Sequence, residues 1–180
     1  TKASQTFQAG DNSWKKGNYD EARQNYEKAA SLYHDDNDAE GEAFVLSRLG
    51  ELEISLEDFD RAEKSLQAAA ELVKNLTFSQ NTYADVLIKL SKMETARGEL
   101  EKALKLIRQG QEVASQIDNR DLQGDAYDHE AYIFLMRNQE KEALEAYGKA
   151  AEMFRQDGTS LKEASVLRAM ARIEMKNRNY

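Results

Sequence analysis

In the stretch GNYDEARQNYEKAA, Gly17 to Ala30, apolar or small side chains fall at Tyr19, Ala22, Tyr26 and Ala29, with charged and amide residues between them. Steps of three and four place such residues on one face of an α-helix. Forty positions on, EDFDRAEKSLQAAA sets Phe59, Ala62, Leu66 and Ala69 in the same frame. Aligning on Ala22, Ala62, Ala103 and Ala143, at intervals of 40, 41 and 40, brings further columns together. Three positions before the anchor stand Tyr19, Phe59, Leu100 and, out of pattern, Glu140. Four after it stand Tyr26, Leu66, Ile107 and Tyr147, and seven after it Ala29, Ala69, Gly110 and Ala150. Twelve before it come Gly10, Gly50, Ser91 and Ala131, and nineteen before it Ala3, Ala43, Ala84 and Gly124.

Each copy therefore holds two helical stripes with a turn between them. Small residues recur where two helices cross closely, and large ones fill the space beside them. One such hairpin cannot bury its own apolar faces, so the copies must stack. The pattern predicts first helices at about Lys2–Lys16, Ala39–Leu56, Thr82–Arg97, Leu122–Arg137 and Ser160–Asn177. Second helices are expected at about Tyr19–Tyr33, Asp58–Leu76, Leu100–Asp118 and Glu140–Asp157. A fifth copy opens with Ala164, Leu167, Met170 and Ala171, read as its packing stripe, while Arg168, Arg172 and Lys176 take another face.

The small residue at Gly10 and Gly50, the aromatic at Tyr19 and Phe59, and the alanines at Ala22, Ala62, Ala29 and Ala69 resemble the tetratricopeptide repeat. The resemblance covers nearly the whole chain and implies an all-α fold: a right-handed solenoid of stacked antiparallel hairpins, with four repeats (about 3–38, 43–80, 84–120 and 124–159) and a half repeat at 160–180, read as a single domain over 1–180. The period is near 40 rather than the usual ~34, which resembles the longer-helix variant of some cytoskeletal adaptors and bacterial regulators. The proline that commonly closes each copy is missing, because the chain has no proline at all. The turns between copies must be held otherwise. The segments HDDNDAEGEA, FSQNTYA, DNRDLQGDA and RQDGTSLKEA supply Asp, Asn, Ser and Thr able to cap the next helix.

Composition narrows the partners. Thirty-three acids against 25 Lys and Arg leave a net charge of −8, which disfavours nucleic acid and anionic membrane. No apolar run is long enough to span a bilayer, so no membrane insertion is expected, and a cytoplasmic protein is the reading, with export after loss of a leader still open. A chain beginning at Thr1 is compatible with a removed leader or neighbouring domain. Without cysteine there are no disulfides and no thiolate metal sites.

Catalytic chemistry finds no footing. The histidines are His34 and His129. In Asp128-His129-Glu130 the neighbours point in different helical directions and form no relay. The run DDNDAEGE imitates the opening of a calcium loop, but the twelfth place, which needs a bidentate carboxylate, is Ser47. No enzyme activity, cofactor or metal is expected.

What remains is a surface. In tetratricopeptide-like solenoids the first helices line a concave groove, and the resemblance puts partner binding there. Helical spacing gives the sets Phe7/Asp11/Trp14, Ser47/Glu51/Ile54, Ile88/Lys92/Thr95, Asp128/Tyr132/Leu135 and Arg168/Arg172/Met175. Phe44 and Arg48 flank the second set, Lys89 the third and His129 the fourth. Down the stack the middle members run Asp11, Glu51, Lys92, Tyr132, Arg172, from acidic to basic. Between Asp11 and Asp60 there are 14 acids and 5 bases; between Leu161 and Tyr180, 5 bases and 2 acids. A polarised groove would orient a ligand of opposite polarity; the alternative is a chance scatter of solvated charges. Trp14 reads either as an exposed anchor or as packing against Phe7. The expected function is a scaffold or adaptor that binds a peptide or helix of a partner protein. Two alternatives stay open: a peptide-responsive domain of a larger regulator, and an array that self-associates through the ends of the solenoid.

Overall fold

In the computed structural model, which describes residues 1–178, the expected hairpins are present. They are α1 (Lys2–Lys15) with α2 (Tyr19–Asp35), α3 (Ala39–Ser55) with α4 (Phe59–Val73), α5 (Gln80–Arg97) with α6 (Leu100–Gln116), and α7 (Arg120–Met136) with α8 (Glu140–Asp157). A last helix, α9 (Ser160–Arg178), packs on α8. Tyr180, the end of the expected half repeat, lies outside the described residues. No strand occurs among the described residues.

The anchor alanines Ala22, Ala62, Ala103 and Ala143 have no exposed surface. Each sits where its helix crosses its hairpin partner, and the large residue one turn on (Tyr26, Leu66, Ile107 or Tyr147) is buried beside it. Full burial of such a side chain contributes about 1.5–3 kcal/mol. The apolar clusters straddle copies: Ala43, Leu66 and Val73 pack with Val86 and Met93 of the next hairpin. Stacking, as well as pairing, therefore builds the core.

Without proline, the turns are set by left-handed residues and side-chain caps. Gly17, Asn37, Glu57, Gly98, Asp118, Asn138 and Gly158 all take positive φ at helix ends. Asp38, Asp58 and Asn119 accept the N–H of Gly41, Arg61 and Leu122. The turn between α4 and α5 departs from the rest. There α4 ends at Val73, short of the expected Leu76, a single 3₁₀ turn covers Thr77–Ser79, and α5 starts two residues earlier than the spacing suggested. The Gln80 side-chain amide bridges this turn, with the carbonyls of Leu76 at 2.9 Å, Lys74 at 3.3 Å and Val73 at 3.5 Å as its acceptors.

An ion pair recurs at the last three steps of the stack. Arg97 meets Asp60 at 3.0 Å, Arg137 meets Glu101 at 3.1 Å and Lys176 meets Glu140 at 2.8 Å. Each time a base at the end of a first helix reaches an acid in the first turn of the preceding second helix.

One expectation is corrected. The stripe Ala164/Leu167/Met170/Ala171 was read as the buried face of the fifth helix, but Ala164, Leu167 and Ala171 are exposed. Val166 and Ile173 dock on α8, with Met170 partly buried beside them. The register is sound and the face is different. Shifted by 121 positions, Ala164, Leu167 and Ala171 match Ala43, Leu46 and Gly50, which in the second hairpin face α4. Among the described residues nothing occupies that place beside α9.

Candidate functional site

The odd-numbered helices lie side by side, and α3, α5 and α7 each leave only a narrow arc open, because neighbours flank them on both sides and their own partner helices lie behind. In α3 that arc is Phe44, Arg48, Glu51 and Ser55; in α5, Asp85, Lys89, Lys92 and Ala96; in α7, Asp125, Asp128, Tyr132 and Met136. The sets read from the sequence were therefore rotated by about one residue. Ile88 is a correction: at 3% exposure it packs with Ala103, Leu104 and Ile107 and does not face the groove. Ser47 and Thr95 are buried as well.

Side chains tie the helices together across this face. Arg48 of α3 reaches Asp11 of α1 at 3.3 Å and Glu51 on its own helix at 2.7 Å. Lys89 of α5 sits 3.4 Å from Glu51 of α3 and donates to Asp85 and to Ser47 Oγ at 2.8 and 2.9 Å. Lys162 of α9 donates to Asp121 and Asp125 of α7 at 2.7 and 2.9 Å. Burial pushes the Asp125 carboxyl up, and the bond from Lys162 pulls it part of the way back. The acidic end expected at Asp11 and Glu51 is thus largely neutralised from within.

The aromatic residues at that end pack on one another. Phe7 lies against Tyr26 and Phe44, with ring centres 5.7 and 5.3 Å apart. Trp14 meets Tyr26 edge-on and carries the Arg48 guanidinium 4.9 Å above its ring. The Tyr26 hydroxyl donates to Asp11 at 2.5 Å, and burial together with that carboxylate raises its pKa. Trp14 is half-buried. It both packs and, with Asp11, Lys15, Arg48 and Glu51, lines a shallow cleft of about 340 Å³.

The step from α5 to α7 differs. Among the described residues no ion pair joins these two helices. Side-chain hydrogen bonds join the step instead: Thr95 Oγ1 to His129 Nε2 at 3.1 Å and, at the start of α7, Asn119 Nδ2 donating to Asn81 Oδ1 at 2.7 Å. Beside the Thr95–His129 contact opens a cleft of about 410 Å³ lined by Lys92, Thr95, Ala96, His129, Tyr132 and Met136. Lys92 is exposed, Tyr132 is 49% exposed and Met136 45%. Half-buried Asp128 lies on the same arc, its carboxyl raised first by burial and then by the charge of Asp125. Arg168 and Arg172 continue the face on α9, both exposed and with no carboxylate partner among the described residues. The charges of this face without an ion-pair partner are thus Lys92, Arg168 and Arg172 against Asp128, while the paired groups hold five acids, Asp11, Glu51, Asp85, Asp121 and Asp125, against three bases, Arg48, Lys89 and Lys162.

The Thr95–His129 pair has the look of a nucleophile and base, but its geometry is structural. Thr95 gives its one hydroxyl proton to the Ser91 carbonyl at 2.8 Å, so the ring stands as donor to Oγ1. Burial, helped by the nearby Lys92 charge, lowers the His129 pKa to about 4, so the ring is neutral at pH 7. Both residues are buried, and Thr95 is only 3% exposed. No group of three or more potential metal ligands gathers among the described residues.

Asp85, Asp125, Met136 and Lys162 were missed as site residues by the sequence reading. Asp121 and Asp125, one helical turn apart, followed by a lysine about 40 positions on, were the available signal.

The fold defines a class: a solenoid of long helical hairpins in the tetratricopeptide manner. Residues 3–75 match the tetratricopeptide repeat family model, and the remaining hairpins continue the same architecture, so the chain has the fold of a tetratricopeptide-like solenoid with a long repeat. No curated protein gives a significant sequence match. Among solved structures it resembles a signal transduction ATPase with numerous domains that carries a tetratricopeptide repeat sensor, from Pyrococcus horikoshii (TM-score 0.80, 18% identity, 97% of this chain and 26% of that one). It also resembles aspartyl phosphate phosphatase F from Bacillus subtilis (0.87, 14%, 97% and 45%) and a Rap protein complexed with Competence and Sporulation Factor (0.82, 17%, 97% and 49%). The chain spans between a quarter and a half of the length of these proteins. At such identities the likeness concerns the fold. No helix among the described residues is long and apolar enough to cross a membrane.

Proposed function

We propose that this chain is a protein-interaction module that takes a peptide or helical segment of a partner on the face of its odd-numbered helices, with the anchor at the step between α5 and α7. The observation that carries this reading is the open step itself. Elsewhere along the face Arg48, Lys89 and Lys162 bind helix to helix, whereas here Lys92, Tyr132 and Met136 remain available around a cleft of about 410 Å³. Aromatic and methionine side chains of this kind are enriched at interface centres. The solved Rap complex with Competence and Sporulation Factor supports a bound factor on this architecture, and the tetratricopeptide sensor of the Pyrococcus ATPase supports a role inside a larger regulator. The pairing of Asp11 and Glu51 changes the ligand expected from the sequence. It is a segment with one or two large apolar side chains and acidic residues toward Lys92, Arg168 and Arg172, and it needs no basic end.

A displayed library of random peptides, selected against the full chain, tests the proposal. Selected peptides should be acidic with an apolar anchor and should bind more weakly as salt screens the charges. Reversal of Lys92 and Arg172 to glutamate should weaken them at least about tenfold, and Tyr132→Ala should act mainly on the dissociation rate. Peptides that bind the reversed variant unchanged would move the function to another face.

A further inference from the structure

We propose that the cleft between α6 and the end of α7 is a second docking site, for a segment of a partner protein that sets carboxylates beside an apolar side chain. The cleft holds about 480 Å³; Leu104 and Phe134 give it an apolar wall, and Lys105, Arg108 and Arg137 give it charge. On α7, Phe134 is two residues from Tyr132 and so on the opposite side of the helix. The cleft shares no residue with the one in the groove. The repeat shows what is different here. One step earlier, Arg97 of α5 has three carboxylates around it: Asp60 at 3.0 Å, Glu63 at 2.8 Å and Glu94 at 4.0 Å. Moved on by one copy, 41 positions for α4 and 40 for α5, Asp60 becomes Glu101, Glu63 becomes Leu104, Glu94 becomes Phe134 and Arg97 becomes Arg137. Arg137 keeps one of the three, Glu101 at 3.1 Å, and that side chain is 81% exposed. The guanidinium therefore shares its cleft with two apolar side chains where its counterpart meets two acids.

Charge selects the occupant. Three bases and one acid line this cleft, in a chain whose net charge is −8. Lys105 is exposed and has no carboxylate within ion-pair distance among the described residues. Arg108 reaches Glu130 at 3.3 Å, and most of its side chain stays in solvent. Carboxylates brought by a partner would meet Arg137 and Lys105, taking the part that Glu63 and Glu94 play one step earlier. An apolar side chain between them would cover Leu104 and Phe134. Gln139, also on the lining, keeps its Oε1 buried without a donor among the described residues. That acceptor suits a main-chain N–H, which favours a peptide segment over a free dicarboxylate. A second copy offers a candidate in Tyr19-Asp20-Glu21, exposed and without an ion pair among the described residues. Its one aromatic ring, already more than half covered, adds little toward the roughly 1,200–2,000 Å² that a stable interface buries. The occupant is therefore a segment of another protein.

A labelled synthetic peptide, acetyl-Gly-Asp-Glu-Phe-Asp-Glu-Gly-amide, supplies the probe. It is titrated into the full chain, with binding followed by anisotropy and its place by backbone amide shifts. Saturable binding with shifts at residues 101–108 and 134–139 is expected, weakening as salt screens the charges. Lys105→Glu with Arg137→Gln should weaken it at least about tenfold, and lysine in place of the peptide's acids should abolish it. Lys92→Glu with Arg172→Glu, in the groove, should leave the shifts at this cleft unchanged, so the two sites stand or fall separately. Lys105 is exposed and Arg137 gives up only a largely solvated pair, so the double variant should keep the wild-type melting curve, and lost binding would not be lost folding. The proposal is overturned if the shifts are absent or confined to the groove. It is equally overturned if the chain alone forms a concentration-dependent dimer that both Tyr19→Ala and Lys105→Glu abolish, since a second copy would then be the occupant.

Discussion

Gly50 and Leu66 are in contact closely enough to leave no room for a side chain: a β-carbon on Gly50 would stand 2.6 Å from Leu66 Cγ. Helices α3 and α4 meet here backbone to side chain. Gly50→Ala should therefore destabilise the protein by about 1–2 kcal/mol, the overpacking cost outweighing the better helix propensity of alanine. Gly148 in α8 gives the control, because nothing lies within 4 Å of its added β-carbon. Gly148→Ala should stabilise by about 0.5–1 kcal/mol. Urea midpoints of the two variants should move in opposite directions, and a shared direction would show that the crossing is looser than described.

How far such contacts were legible beforehand depended on what enforces them. The columns at Ala22, Ala62 and Ala103 could be read because steric exclusion at each helix crossing demands a small residue in every copy. The pairing of charges could not. Whether Lys89 meets Glu51 or stays free for a ligand depends on the axial offset between α3 and α5, which no single-helix pattern encodes. Ile88 was misplaced for a related reason. A stripe at i, i+4 and i+7 identifies a face but not which neighbour covers it, and in the middle of a stack three faces out of four are covered. In α9 the same ambiguity ran the other way: Ala164 and Ala171 carry the packing signature of a hairpin, but the helix that would read it is not beside them.

Glu57 holds φ at +58° in the turn between α3 and α4, where the equivalent turns place Gly17 and Gly98. A side chain in the left-handed region costs about 1–2 kcal/mol relative to ordinary backbone. Part of that is recovered on replacement, so Glu57→Gly should raise stability by about 1 kcal/mol. Thermal denaturation that left the midpoint unchanged or lower would mean that the Glu57 side chain contributes more than its backbone strain removes.

His129 should make part of the stability depend on pH. Its pKa is lowered to about 4 in the folded chain, against ~6.5 when unfolded. Between these values the unfolded state binds the extra proton, so this contribution is present above pH ~6.5 and is lost as pH falls toward 4. From pH 7 to 5 the loss is about 2 kcal/mol. Asp125, Asp128 and Glu53 have raised pKa values and act in the opposite sense, so the test is a difference. The wild type should lose more stability than His129→Gln over that interval. Equal losses, or an imidazole titrating near 6.5 by proton NMR, would show the ring to be solvated.

Removing α9 should uncover the side of the fourth hairpin that holds Phe154 and Ala151. A chain ending at Thr159 should melt at a lower temperature and associate at high concentration, through the apolar surface released. Sedimentation velocity and calorimetry on the shortened chain decide the matter: a monomer with the full-length melting temperature would mean that the seat of Val166 and Ile173 contributes little.

The stacking of each hairpin on its immediate neighbours also governs how the chain finds its fold. The bond from Lys89 to Ser47, among the longest in range, spans 42 positions of a 180-residue chain. Loop closure over such distances is entropically cheap, and chains dominated by near-sequence contacts fold fast. Folding can start at an interior pair such as α3–α4 with α5 and spread outward one helix at a time, while opening begins at α1 and α9 and works inward. Amide protons of α4 and α5 should accordingly exchange slowest, and those of the two end helices fastest. A partner that clamps α5 to α7 would then act as a brake on unzipping from the carboxyl-terminal side, protecting backbone amides well beyond the residues it touches.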